Sequence, residues 1–206
     1  MAVQSDYRYS LTVNGSSQFE VVRFVLKEHL STLFRLELDL ASFGAEPNFH
    51  SLIDQPATLT FWQGDEAVRS VNGIVTALNQ GETGFTRTRY HMVIEPSLCR
   101  AGLQTDLRIF QQQDSQKIIE TLLSKNQVSQ SQFHLQTPYW TREYCVQYRE
   151  TDLNFIQRLA AEEGSYYYFE HTNNSHILHF SNSTTLSEKK GNLVYNAMPA
   201  GQRPEA

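Results

Sequence analysis

The sequence predicts a β-rich α+β protein: a small antiparallel β-barrel, then an α+β subdomain with two short helices and a hairpin. Three features predict it. Short apolar–polar alternations separated by turn residues fill residues 7–96, the spacing of half-buried strands. Beyond Pro96 the apolar spacing becomes helical at two places. Last, the aromatic run Tyr166-Tyr167-Tyr168-Phe169 is followed by an Asn173-Asn174 turn and a second apolar run at residues 176–180. We therefore expect a barrel domain over residues 1–96 and an α+β subdomain with a polar tail over residues 97–206.

The elements follow in order. Tyr7, Tyr9, Leu11 and Val13 alternate with polar residues, and Asn14-Gly15 then offers a tight turn. Val22, Phe24 and Leu26 alternate next, followed by Phe34, Leu36, Leu38 and Leu40. Strand-like runs recur at residues 57–62, 68–78 and 86–94, with turn signals at 44–48, 63–65 and 80–84. Several such strands with no helix between them suit a barrel, which leaves no open edge. Asp114 can cap a helix whose stripe is Ile118, Ile119, Leu122 and Leu123, ended by a polar stretch at 124–132. Two strand-like pieces lie at 133–135 and 143–148. Thr151 can cap a second helix over residues 152–163, with Leu153, Ile156 and Leu159 buried and Gly164 as its left-handed stop. In the hairpin, pairing through Asn173-Asn174 sets Phe169 opposite Leu178 and Tyr167 opposite Phe180. Residues 181–206 read as a polar tail.

Bulk properties exclude several classes. The 206 residues are 40% hydrophobic, 19% charged and 12% aromatic, ordinary values for a globular chain that buries a core. Net charge is -5, and the longest cationic cluster is Lys189-Lys190, so nothing offers the basic face that nucleic acid requires. No window of about 18 apolar residues exists to span a membrane. Residues 1–10 are polar and lack a signal-peptide core, so synthesis in the cytoplasm is expected. Cys99 and Cys145 are the only cysteines, read as reduced and partly buried thiols.

No constellation of catalytic residues stands out. His171, His176 and His179 are close in sequence, but the hairpin puts His171 and His176 on one face and His179 on the other. Two ligands are too few for a structural zinc site. Cys145 lies between Tyr144 and Val146 in a strand pattern, where a small buried thiol fits without chemistry. Glu162 and Glu163 are adjacent, so on a helix they point about 100° apart and cannot flank one bond. Glu150 and Asp152 sit at the start of the same helix, where negative charge is favoured. Tyr167 and Phe169 are expected to face the core, with Tyr166 and Tyr168 outward as anchors for a partner, unless all four pack within the chain. The expected sets of catalytic, cofactor-binding and metal-ligating residues are therefore empty.

One stretch is distinctive: Arg142-Glu143-Tyr144-Cys145-Val146-Gln147-Tyr148-Arg149-Glu150-Thr151-Asp152-Leu153, then Phe155, Arg158-Leu159, Glu162-Glu163-Gly164 and Tyr167-Tyr168-Phe169-Glu170-His171. With Arg108-Ile109-Phe110-Gln111 before the first helix, and Val71-Asn72-Gly73-Ile74-Val75 in the barrel, it resembles the VgrG family, the spike proteins of type VI secretion. The likeness runs from about residue 7 to about residue 195.

The resemblance implies a structural hub with no chemistry of its own. VgrG proteins are similar to the hub and spike of contractile phage tails. Their N-terminal barrels form a ring around a threefold axis, as a homotrimer, on a tube of stacked Hcp hexamers. A β-helical needle follows, capped by a PAAR-type protein, and effectors or adaptors ride on the assembly. The second barrel, the oligonucleotide-binding-like domain and the needle are expected to lie outside this sequence. Export by the secretion system itself is implied. The barrel surface near residues 20–40 is the candidate contact face. A contractile-phage tail hub is the related alternative. A carbohydrate-binding barrel that stacks sugars on Trp62, Tyr139 and Trp140 is the alternative from another class, and a hydrolase resting on Cys145 or Glu163 is a third.

Overall fold

The computed structural model describes residues 7–43, 48–136 and 138–183. The first half supplies β1 (Tyr7–Val13), β2 (Glu20–Lys27), β3 (Arg35–Ser42), β4 (Pro56–Gln63), β5 (Glu66–Thr83) and β6 (Thr88–Glu95). They make one six-stranded sheet in the order β1-β4-β5-β6-β3-β2, antiparallel throughout. Period-two burial curls it around a core: Leu36, Leu38 and Leu40 of β3 point in, while Arg35 and Asp39 point out. Leu11, Val13, Leu59, Val71, Val75, Met92 and Ile94 meet them there.

The sheet is a curled antiparallel half-barrel, and the closure without an open edge expected of it is not made by backbone pairing. Among the described residues no backbone ladder joins the edge strands β1 and β2. Side chains close the seam instead: Tyr9, Phe24 and Phe61 contact one another edge-to-face with ring centroids 5.1–5.4 Å apart. The alternation expected of Val22, Phe24 and Leu26 is interrupted. A bulge between Val21 and Arg23 leaves Val22 exposed, while Val21, Phe24 and Leu26 pack on the core.

Asn14 and Gly15 both adopt positive φ and form the expected tight turn, but it makes a single rung, Val13 with Ser16. β1 then pairs with β4. The turn expected at 80–84 comes later. β5 runs on to Thr83, and Gly84 N–H donates to Arg87 O to close the loop.

The second half opens with a 3-10 turn at Ser97–Gly102. It continues with β7 (Thr105–Asp114), α1 (Ser115–Lys125), β8 (Ser131–His134), β9 (Thr141–Thr151), α2 (Asp152–Glu162), β10 (Tyr166–His171) and β11 (His176–Ser181). Both helix caps are as expected: Asp114 accepts from Lys117 N–H, and Thr151 accepts from Asn154 N–H. Gly164, at φ 64°, ends α2, with Ser165 N–H returning to Ala160 O.

The hairpin register is the expected one, with Phe169 opposite Leu178 and Tyr167 opposite Phe180. β8 adds parallel to β11, a non-local pairing. β7 and β9 form a separate two-stranded ribbon. The tail expected at 181–206 begins with Ser181 still inside β11, and residues 184–206 lie outside the described residues, as do 1–6 and residues 44–47 of the turn expected at 44–48.

Two clusters of buried apolar residues result, one inside the curled sheet and one among α1, α2, the hairpin and the ribbon. Phe169 packs against both. The clusters meet at Phe34, whose ring touches Phe169 at 5.3 Å, His171 at 4.9 Å and His176 at 5.8 Å.

Candidate functional site

His171 and His176 belong to the seam between the two halves. His171 and His176 face each other across β10 and β11, as expected from the hairpin. His171 Nδ1 accepts the Asn72 backbone N–H at 3.1 Å, and His176 Nε2 faces Ser97 N–H at 3.4 Å. Burial, and then the neighbouring His171, pushes His176 down to about 4. His179 points the other way, stacked between Tyr168 at 4.9 Å and His134 at 5.1 Å. His134 Nε2 and His179 Nδ1 share a hydrogen bond of 2.9 Å. His179 Nε2 is 2.9 Å from a Glu170 carboxylate oxygen, near enough for an ion pair but not aligned as a hydrogen bond. Among the described residues, no three His, Cys, Asp or Glu side chains are grouped to hold a metal ion.

The thiols and carboxylates are likewise engaged in structure. Cys145 is buried, and desolvation raises its thiol above the ordinary value despite Arg142 and Arg158 nearby. Burial pushes Cys99 up to about 11. Both are thiols at neutral pH, without the thiolate a nucleophile needs. Glu162 and Glu163 are bridged by one guanidinium, with Arg142 reaching Glu162 at 2.8 Å and Glu163 at 2.7 Å. Ser115 Oγ also donates to Glu163, at 2.6 Å. Burial alone would raise the Asp152 carboxyl. Hydrogen bonds from Gln147 and Asn126, with Lys125 at 3.0 Å, more than offset that and hold it below its usual value.

The aromatic candidates are split between locations. Tyr167 is buried, while Tyr166 and Tyr168 are half-buried and stacked on each other. Trp62 lies on β4, its indole N–H donating to Ser10 Oγ and Arg8 over its ring. Tyr139 bonds through its hydroxyl to Ser165. Trp140 is 76% exposed, next to the start of β9. Trp62 and Trp140 thus serve different sheets. A cleft of about 1160 Å³ lies between β5 and the hairpin, lined by Glu28, Val68, Arg69, Tyr168, Glu170 and His179 among others. Arg69 engages Glu28 there at 2.7 Å, and Glu28 lies near His171 at 3.5 Å.

The surface that stands apart is the outer face of the β7–β9 ribbon. Leu107 pairs with Tyr148, Ile109 with Val146 and Gln111 with Tyr144. The five apolar members of these rungs are 43–65% exposed. The inner row, Arg108, Phe110, Cys145 and Gln147, faces the helices, and Gln147 has no exposed surface at all. Sequence reasoning missed this face, because a strand's alternation shows two rows without showing which one the helices cover. The surface near residues 20–40, expected as a contact face, exposes Val22 and Leu30 among charged neighbours.

Comparison with known proteins supplies the context. Residues 27–205 match the family described as phage tail baseplate hub (GPD). The type VI secretion system spike protein VgrG2a of Pseudomonas aeruginosa is 38% identical over 98% of this chain, which spans 24% of that relative. The spike protein VgrG3 of Vibrio cholerae is 40% identical over 82% of this chain and 17% of its own length. Among solved structures, the E. coli c3393 protein is described as a component of the type VI secretion system, similar to the T4 bacteriophage tail proteins gp27 and gp5. It superposes with a TM-score of 0.80 at 25% identity, over 87% of this chain and 50% of that one. The chain thus spans about a quarter or less of the length of the curated relatives it matches.

Proposed function

The chain belongs to the phage tail baseplate hub (GPD) family, and from that premise we propose that it is the front module of a type VI secretion spike, connecting the Hcp tube to the needle. The observation that carries this reading is the joint match: a hub family over residues 27–205, and a type VI structure at a TM-score of 0.80. In the full-length protein the module works as a homotrimer around a threefold axis, with effectors or adaptors as further partners. It is made in the cytoplasm and exported by the secretion system itself.

The work is done by packing and backbone pairing, with residues 1–96 as the barrel unit and 97–206 as the α+β unit. In this reading the module performs no chemistry of its own, which accords with two thiols held protonated by desolvation and with Glu162 and Glu163 engaged by Arg142. The relatives' names favour secretion over a virion as the setting.

The test is capture of the tube protein. The purified chain, immobilised, should retain Hcp rings and release them on dilution. Passage of Hcp unretarded, with the chain shown to be folded by circular dichroism, would overturn the tube-docking role.

A further inference from the structure

The first half of β5 is paired on one side only. Residues 66–73 ladder with β4, whereas β6 joins from Ile74 onward. Among the described residues no strand lies along the other edge. Asn72 shows which way that edge points, because its backbone N–H leaves the sheet for His171 Nδ1. By the two-residue period, Ser70 N–H and C=O point the same way, into the cleft of about 1160 Å³ that Ser70 lines. We propose that this cleft takes an extended, basic segment of a partner polypeptide, added as a short strand to the open edge of β5.

Backbone chemistry is the first support. An unpaired strand edge is a template for another chain, and strand addition draws affinity from main-chain hydrogen bonds. The bulge opposite Phe61 and Trp62 ends the regular edge at Arg69, so only a short strand fits. The cleft exceeds the roughly 300–1,000 Å³ of a small-molecule pocket, which leaves room for a length of chain.

Charge fixes the kind of segment. The acidic and basic residues that line the cleft, apart from its histidines, are Glu28, Arg69 and Glu170. Arg69 is engaged with Glu28 at 2.7 Å. Glu170 has only His179 within ion-pairing distance, at 2.9 Å. Burial holds the His179 imidazole below its usual value, so it is neutral at pH 7 and the Glu170 carboxylate has no cation. The Nε2 atoms of His171 and His179, on side chains more than nine-tenths buried, also make no hydrogen bond within the chain. Leu30 and Val68 line the same cleft and are exposed. A lysine or arginine suits these neighbours together, with its aliphatic stem on Leu30 and Val68 and its head at Glu170. An acidic segment, or a phosphate backbone, would set like charge against Glu170.

The open edge and the Glu170 charge are present whether or not the chain docks on the Hcp tube.

The experiment titrates the chain with two blocked heptapeptides, one alternating valine with lysine and one alternating valine with glutamate, and follows both by NMR. The lysine peptide should bind saturably. At ten times its Kd it should slow exchange of the Ser70 amide about tenfold. The glutamate peptide should do neither. Glu170→Gln should weaken binding about threefold. Glu143→Gln removes the same charge from an exposed site on β9 and should leave binding unchanged. Ser70→Pro removes the cleft-facing N–H without taking a bond from the β4 ladder, and should weaken binding at least about tenfold. Because that variant could misfold, exchange at Ser70 in the unaltered chain is the independent reading. No saturable binding, equal binding of the two peptides, or binding that leaves Ser70 exchange unchanged would overturn the proposal. Protection of Ser70 that grows with chain concentration before any peptide is added would assign the edge to a second copy, and would overturn it as well.

Discussion

Asn72 and His171 tie the two halves of the molecule together: the backbone N–H of Asn72 donates to His171 Nδ1 over 3.1 Å. A backbone N–H can only donate, so Nδ1 must be the unprotonated nitrogen of that ring. The buried Asn72 side chain completes the seam. Its Nδ2 donates to Thr172 O at 2.6 Å and Ser175 O at 3.0 Å, and its Oδ1 receives the Thr58 hydroxyl at 2.8 Å. One residue of β5 thereby satisfies β4 and the tip of the hairpin together.

The donor role of Asn72 can be separated from its size. Asn72→Ala should cost about 2 kcal/mol, because it takes their Asn72 partner from the Thr172 carbonyl and the Thr58 hydroxyl, while Ser175 O keeps the Thr172 N–H and hydroxyl. Asn72→Asp keeps the shape but aims a carboxylate at those carbonyls, so it should cost at least as much. Urea unfolding measures both, and hydrogen exchange should show residues 170–177 opening first. An aspartate tolerated as well as the native residue would refute the donor role.

Acid should weaken the same seam. Burial holds His176 at about 4 in the folded protein, against 6.5 for a free imidazole. Below 6.5 the unfolded chain takes up a proton that the native state refuses, so stability present above pH 6.5 is lost as pH falls toward 4. The loss attributable to His176 is about 2 kcal/mol at pH 5. His179 is lowered as well, by burial against the opposing pull of Glu170, and adds to the same slope. Denaturant titrations at pH 7 and pH 5 should show the loss, and His176→Gln should make it shallower. Equal stability at the two pH values would mean that the imidazole is not desolvated.

Arg142 is the third test. Its fork spans Glu162 and Glu163 and anchors β9 to the end of α2. Arg142→Ala should destabilise by about 2 kcal/mol, since Glu163 is left mostly buried with its cation removed. Arg142→Lys should recover less than half of that, because a single ammonium cannot hold two carboxylates in the fork geometry. Full recovery by lysine in thermal melts would show that charge alone matters there.

Much of the local structure was legible in the chain. Ile118, Ile119, Leu122 and Leu123 recur at helical spacing and are all buried on α1. Asp114, Thr151 and Gly164 mark helix ends through bonds that reach only a few residues, so their chemistry is visible at short range. The hairpin register followed from Asn173-Asn174 because a tight turn dictates which residues face each other. The histidine faces could be read from the same register.

The remainder was decided by partners distant in sequence. β1 is followed by a good turn and yet pairs with β4, and β8 joins β11 in parallel across more than forty residues. Val22 alternates correctly in sequence but falls on a bulge that only the β3 register creates.

The ribbon makes the division clearest. By itself the sequence determined that β9 has two rows, one with Cys145 and Gln147 and one with Tyr144, Val146 and Tyr148. Polarity would have turned the second row inward. The tertiary structure turned it outward, because Gln147 is needed inside to donate to Asp152 at 2.8 Å, where that carboxylate opens α2 beneath the ribbon. Periodicity is a property of one strand, whereas the choice of face depends on which buried polar group must be satisfied from another element.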